Sequence, residues 1–182
     1  VLGDPEILRG YLNTILYTFV GVVINLSVTL PAAYALSRKD LKGRNVILFL
    51  FMLTMFISGG LIPTFIVVNN LHLLNTMWAL VLPVAMSVYN MIIARTFFLN
   101  TIPDDLWEAA RMDGCSDLHF FLSIVMPLSK AITAILILYY GVSHWNSYYN
   151  AMVYISDREK FPLQLILRGI LTKNQISGSM IR

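Results

Sequence analysis

An all-α fold, a polytopic bundle of transmembrane helices, is the class that three features of this 182-residue chain predict. Hydrophobic residues make up 57% and charged residues 13%, with a mean hydropathy of +0.69, a balance too apolar for the surface of an ordinary soluble domain. Three stretches, Tyr11 to Ser37, Asn45 to Ala94 and Ala131 to Ser156, contain no Asp, Glu, Lys or Arg. Between the last two lies Pro103 to Leu128, a charged stretch that reads as two short helices joined at a glycine. One span needs about 20 apolar residues to cross about 30 Å of hydrocarbon. The second uncharged stretch is 50 residues long, with Gly59, Gly60 and Pro63 followed by Asn69, Asn70, His72 and Asn75, so it holds two spans. Four spans are predicted, at about 12–36, 46–68, 77–98 and 130–152, in a single transmembrane domain covering 1–182.

Taken in order, Gly3 to Arg9 is a polar lead-in with the makings of a short interfacial helix. Val1 to Arg9 shows no initiator methionine, no basic flank and no cleavage-like site, so it does not read as a signal peptide. The chain reads as the interior of a longer protein, with a first and a last span expected outside it. The first span, Tyr11 to Leu36, has Asn13 and Thr14 at one border and Pro31 near the other. Arg38, Lys39, Lys42 and Arg44 follow it, and basic residues in short loops are retained on the cytoplasmic side. The loop Asn69 to Thr76 is then external, with Trp78 as an interfacial anchor. Span three carries Pro83, Asn90 and Arg95, whose long side chain is expected to snorkel to the inner headgroups. Pro103 to Leu128 is therefore cytoplasmic. Lys130 marks the inner end of the fourth span, and Ala131 to Ile155 would be about 37 Å long as a helix. An external loop of about 153–182 remains, in which Pro162 starts a short amphipathic helix over Leu163 to Ile170.

The cytoplasmic elbow carries the information about function. Pro103 suits a first helical position and Asp104 and Asp105 its first turn, since acidic side chains complement exposed amides there. Leu106 to Asp113 continues the helix, and Gly114 allows a sharp change of direction. Ser116 or Asp117 then caps a second helix, His119 to Met126, which Pro127 interrupts. Glu108 shares a face with Arg111 and Met112, while Leu106 and Ala110 form the packing side. Two readings of Glu108 stay open at this point. It meets a docked partner, or it is a surface carboxylate paired with Arg111, worth only ~0.3 kcal/mol.

Several chemistries are excluded. The single cysteine, Cys115, allows neither an intramolecular disulfide nor a cysteine-rich metal site. There is no Walker-type glycine-lysine loop, and no span holds a pair of ionisable residues to relay protons. The expected protein is not an enzyme, holds no cofactor or metal of its own, and takes its energy from another subunit. A secondary transporter is the competing class, disfavoured by the lack of midplane acids.

Glu108-Ala109-Ala110, then Asp113-Gly114, Phe120, Ile124 and Pro127, resemble the EAA loop of the membrane subunits of binding-protein-dependent ABC importers. Met126 stands where that family usually has leucine, a mild exchange. The resemblance extends over LNT at Leu12 to Thr14, AAYALSR at Ala32 to Arg38, HWN at His144 to Asn146 and FPLQLIL at Phe161 to Leu167. It covers essentially the whole chain and is similar to carbohydrate-type permeases, particularly the smaller permease of maltose-type systems. The fold it implies is the type I ABC importer permease bundle with cytoplasmic EAA coupling helices. The implied assembly is a second homologous permease subunit, two ATPase subunits that bind the ATP and Mg, and an external solute-binding protein, in a bacterial or archaeal cell membrane and its lipid. No nucleic acid is involved. The cargo expected is a sugar or oligosaccharide, with peptide or amino acid import as the alternative within the family.

The resemblance also implies roles. Glu108, Ala109, Ala110, Arg111, Asp113, Gly114 and Pro127 would couple the chain to the ATPase. Asn25, Asn90, His144, Trp145, Asn146, Tyr148 and Tyr149 are pathway candidates, because hydroxyl-rich ligands need hydrogen bonds and apolar ring faces. The residues leave open helix-to-helix hydrogen bonding for the asparagines and interfacial anchoring for the aromatics. Asp157, Arg158, Glu159 and Lys160 would face the binding protein, against the alternative of a solvated charged turn.

Overall fold

The computed structural model describes residues 5–180, with side chains described as far as Thr172, and contains no strand among them. The helices, in chain order, are α1 (Pro5–Ser37), α2 (Arg44–Phe56), α3 (Leu61–Asn70), α4 (Trp78–Val81, extended by a 3₁₀ turn at Leu82–Val84), α5 (Val88–Thr101), α6 (Asp104–Met112), α7 (Asp117–Phe120), α8 (Met126–Leu128), α9 (Lys130–Trp145), α10 (Tyr148–Tyr154) and α11 (Leu163–Met180). A π-helical turn, Phe121–Val125, joins α7 to α8.

Only α1 is long and apolar enough to cross a membrane as one unbroken helix among the described residues. The helix already begins at Pro5, so residues 5–9 of the expected polar lead-in are part of it, while Gly3 and Asp4 lie outside the described residues. The run 46–68, expected as one span, is two helices separated at Ile57 to Gly60. Gly60 has φ 82, where an L side chain is disfavoured, and it accepts the hydroxyl of Thr64 on its carbonyl at 2.9 Å. The run 77–98 is likewise interrupted at residues 85–87, where the Ser87 hydroxyl accepts a hydrogen bond from the Asn90 amide and starts α5. The fourth run breaks at Asn146–Ser147. The short amphipathic helix expected after Pro162 is present and longer, as the 18-residue α11. Counted as broken pairs, these helices supply up to four spans.

The chain forms two compact units. Among the described residues, one comprises 5–23, 59–84 and 140–180, and the other 24–58 and 85–139. The segments expected on the cytoplasmic side, 38–44 and 103–128, belong to the second unit, and those expected outside, 69–76 and 157–173, to the first.

In the first unit the core gathers Tyr17, Val68, Ala79, Leu80, Ala151, Tyr154 and Ile155. Asn75, at φ 60, is its clamp: its amide donates to the Tyr154 carbonyl at 2.9 Å, and its Oδ1 accepts the Asp157 amide at 3.0 Å and the Ser156 amide at 3.3 Å. Asparagine tolerates the left-handed region better than other residues with side chains. The start of α1 is tied to the same turn, with the Asn13 amide group donating to the Glu159 carbonyl at 2.8 Å and the Thr14 hydroxyl accepting the Leu163 amide at 2.9 Å. Close approach also needs Gly21, where an added Cβ would lie 2.5–2.7 Å from three ring atoms of the buried His144.

In the second unit, the end of α1 is finished by Arg95, whose Nε donates to the Leu36 carbonyl at 2.9 Å. A cation against an orphan carbonyl of a last helical turn satisfies both partners, which replaces the expected snorkelling to headgroups.

Candidate functional site

The elbow in the second unit is built from its turn outward. Gly114 has φ 78, its amide donates to Arg111 O at 3.0 Å, and the Cys115 amide donates to Ala110 O at 2.9 Å. These two bonds define a Schellman stop, in which a glycine beyond the C-cap turns the chain and satisfies the last carbonyls. Ser116 then caps α7, accepting the His119 amide on its hydroxyl at 3.4 Å, with Asp117 inside the first turn. At the other end Pro103 is the N-cap with extended ψ 146, one position earlier than expected, and Asp104 and Asp105 occupy the first turn.

Pro127 does not end the second helix. The expected His119–Met126 runs instead from Asp117 to Leu128, with the π turn lying where a proline ring would otherwise press on the carbonyl four residues back. The break comes at Ser129, and the two flanking pieces bend by 82°.

An aromatic base holds the elbow. Trp107 packs edge-on against Phe120 with ring centroids 5.0 Å apart, and Tyr34 meets Phe98 at 5.9 Å and Phe121 at 5.2 Å. Arg38 places its guanidinium 4.9 Å from the Trp107 ring centre. Such contacts contribute about 0.5–1.5 kcal/mol each beyond area burial. Lys39 reaches Asp104 at 2.6 Å, and this hydrogen bond holds the Asp104 carboxyl below its ordinary value. Trp107, rather than Leu106, is thus the principal anchor of α6, together with Ala110. Its signal in the sequence was the spacing Trp107-Ala110, three residues apart on one helix face.

The opposite face of α6 is open. Glu108, Ala109, Arg111 and Asp113 are exposed, and Met112 is 89% exposed. Leu118 and Leu122 continue the exposed apolar surface beyond Gly114. Glu108 makes no ion pair among the described residues, so the expected alternative of a Glu108–Arg111 pair is not formed. The two alanines part company, Ala109 on the open face and Ala110 in the core. Pro127 is exposed.

The pathway candidates are divided between the two units. Asn25 and Asn90 are buried within the second unit. In the first unit His144 is buried against Gly21, and Trp145 meets Tyr11 edge-on at 5.8 Å. The Asn146 side chain donates to the Val142 carbonyl at 2.9 Å, while Tyr148 and Tyr149 remain exposed. Arg168, which the sequence reading passed over, lies with its guanidinium 4.6 Å from the Tyr148 ring centre.

The four charges at 157–160 are engaged internally. Arg158 pairs with Glu6 at 3.2 Å, Glu159 with Arg9 at 2.8 Å, and Lys160 with Asp157 at 3.3 Å. The Asp157 carboxyl is held below its ordinary value by hydrogen bonds from the Glu159 amide and the Lys160 ammonium. No group of three or more His, Cys, Asp or Glu suited to a metal occurs among the described residues.

The profile of the family described as binding-protein-dependent transport system inner membrane component matches residues 7–157. The chain belongs to this family. Among similar members, the polygalacturonan/rhamnogalacturonan transport system permease protein YtcP of Bacillus subtilis is 44% identical over 181 residues, 99% of this chain and 63% of that protein. Protein LplC of the same organism is 41% identical, over 98% of this chain and 60% of its own length. The sn-glycerol-3-phosphate transport system permease protein UgpE of Yersinia pestis is 32% identical, over 93% and 63%. A crystal structure of a bacterial ABC transporter involved in the import of the acidic polysaccharide alginate superposes with a TM-score of 0.91 at 35% identity, over 99% of this chain and 65% of that chain. The fold is therefore that of an ABC importer permease. The chain spans about three fifths of the length of the curated relatives it matches.

Proposed function

We propose that the chain is part of the permease subunit of an ATP-driven importer for a sugar or oligosaccharide, forming half of the translocation pathway. The elbow from Pro103 to Leu128 docks on a cytoplasmic ATPase subunit and passes its movement to the spans. Glu108, Ala109, Arg111, Asp113 and Met112 form the contact face, Gly114 the turn, and Ala110 with Trp107 the brace beneath. A second homologous permease completes the pathway, two ATPase subunits carry ATP and Mg, and an external solute-binding protein delivers the cargo. This chain performs no covalent chemistry. Linkage makes the coupling reciprocal, so binding-protein docking outside and nucleotide binding inside alter each other's equilibrium.

The observation that carries this reading is the two-faced elbow. One side is locked on an aromatic base while the other presents an exposed carboxylate, in no ion pair among the described residues, beside a methionine that is 89% exposed. Ordering such a projection costs backbone and side-chain entropy, and exposed large apolar side chains beside a desolvatable charge suit a partner cleft. The carbohydrate class is supported by the polysaccharide cargoes named for similar proteins.

Affinity purification of the full-length protein from its own cells tests the reading. The expected complex contains a homologous permease and an ATPase, and its hydrolysis rises when a saccharide-loaded external binding protein is added. Uptake that persists after the ATPase is inactivated would favour a secondary transporter instead.

A further inference from the structure

Three arginines of the first unit have described side chains, and two of them, Arg9 and Arg158, pair with carboxylates. Arg168 makes no ion pair among the described residues and lies instead over the ring of Tyr148. It is also the one charge in the otherwise uncharged run from Leu163 to Thr172. Both members of this stack are exposed.

Stacking a guanidinium on a ring occupies its face and leaves its N–H edge in place to form two parallel hydrogen bonds to a carboxylate. The exposed part of the Tyr148 ring suits the apolar face of a pyranose ring, which a carboxylate-bearing sugar presents at the same time. We propose, on the reading of this chain as half of a saccharide pathway, that Arg168 stacked on Tyr148 is a carboxylate-recognition site for the uronate rings of an acidic oligosaccharide, with the exposed part of the Tyr148 ring as the stacking surface. The site selects charged over neutral sugar, because a fork aimed at a hydroxymethyl group forfeits its charge-assisted bonds.

Saturation-transfer NMR on the purified full complex in phosphatidylcholine nanodiscs tests this with two probes, an oligogalacturonate and the same oligosaccharide with its carboxyls reduced to alcohols. The expected binding of the acidic probe is about tenfold tighter, the ratio that one charge-assisted hydrogen bond of ~1.5 kcal/mol gives. Arg168→Gln should abolish that preference, Arg168→Lys should retain part of it, and Tyr148→Phe, which keeps the ring, should leave it intact. Equal binding of both probes by the unaltered complex, or an undiminished preference in Arg168→Gln, would overturn the site. Loss of acidic-probe binding when phosphatidylglycerol is added would assign Arg168 to a lipid headgroup and overturn it too. A complex that hydrolyses ATP on stimulation yet fails these arms rejects only this site, whereas one that lacks an ATPase rejects the importer reading itself.

Discussion

Glu108→Lys is expected to abolish saccharide-stimulated ATP hydrolysis while leaving the protein inserted in the membrane. The proposed contact sets the carboxylate against a basic group of the ATPase, and truncating one partner of a buried charge pair costs about 2–5 kcal/mol. Glu108→Ala removes the bond alone, whereas lysine adds repulsion, so lysine should be the more severe. The fold should tolerate either change, because Glu108 is exposed and makes no ion pair among the described residues. Comparing stimulated hydrolysis and complex recovery for both variants in reconstituted membranes checks the order. Ordinary coupling in Glu108→Lys with full assembly would remove Glu108 from the contact.

Gly114→Ala should cost about 1 kcal/mol or more in the local conformation and a larger share of transport. The penalty is one of backbone, not of space: Gly114 has φ 78, and an added Cβ would meet nothing within 4 Å. Relief comes by opening the Schellman turn, which releases the Ala110 and Arg111 carbonyls and rotates α6 against α7. The aromatic base holds both helices, so the spans remain folded while the contact face loses its shape. Thermal unfolding of the purified complex should change little as uptake falls several-fold. Equal losses in both would mean that Gly114 serves folding and not coupling.

Much of this was legible because it rests on local chemistry. The αL glycine, the Ser116 cap and the acidic first turn of α6 each follow from one residue type meeting one backbone need, and each is found within a position of where the sequence puts it. The open face of Glu108, Arg111 and Met112 follows from helical spacing. What escaped depends on the third dimension. Hydropathy cannot tell a straight span from a broken one, so the stops at Phe56 and Val84 did not show. Proline reads as a breaker, yet a widened turn absorbed Pro127 and moved the break to Ser129. Arg95 looked like a snorkelling cation and Arg168 drew no reading, because their partners, a carbonyl 59 positions away and a ring on another helix, are invisible in a linear scan. The pairing of Arg158 with Glu6 and of Glu159 with Arg9 joins residues far apart in the chain, so a linear scan does not show it.

The claim that one face of α6 meets the ATPase is tested most directly by cysteine cross-linking in a Cys115→Ser background of the intact complex. Single cysteines at Ala109, Met112 and Ala110 would be joined to the ATPase subunit with a short bifunctional reagent, with and without ATP. The account predicts cross-links from positions 109 and 112, none from the buried position 110, and a yield that changes with nucleotide. Cross-linking from 110 as readily as from 112, or none from 109 and 112 in a complex that hydrolyses ATP on stimulation, would contradict it.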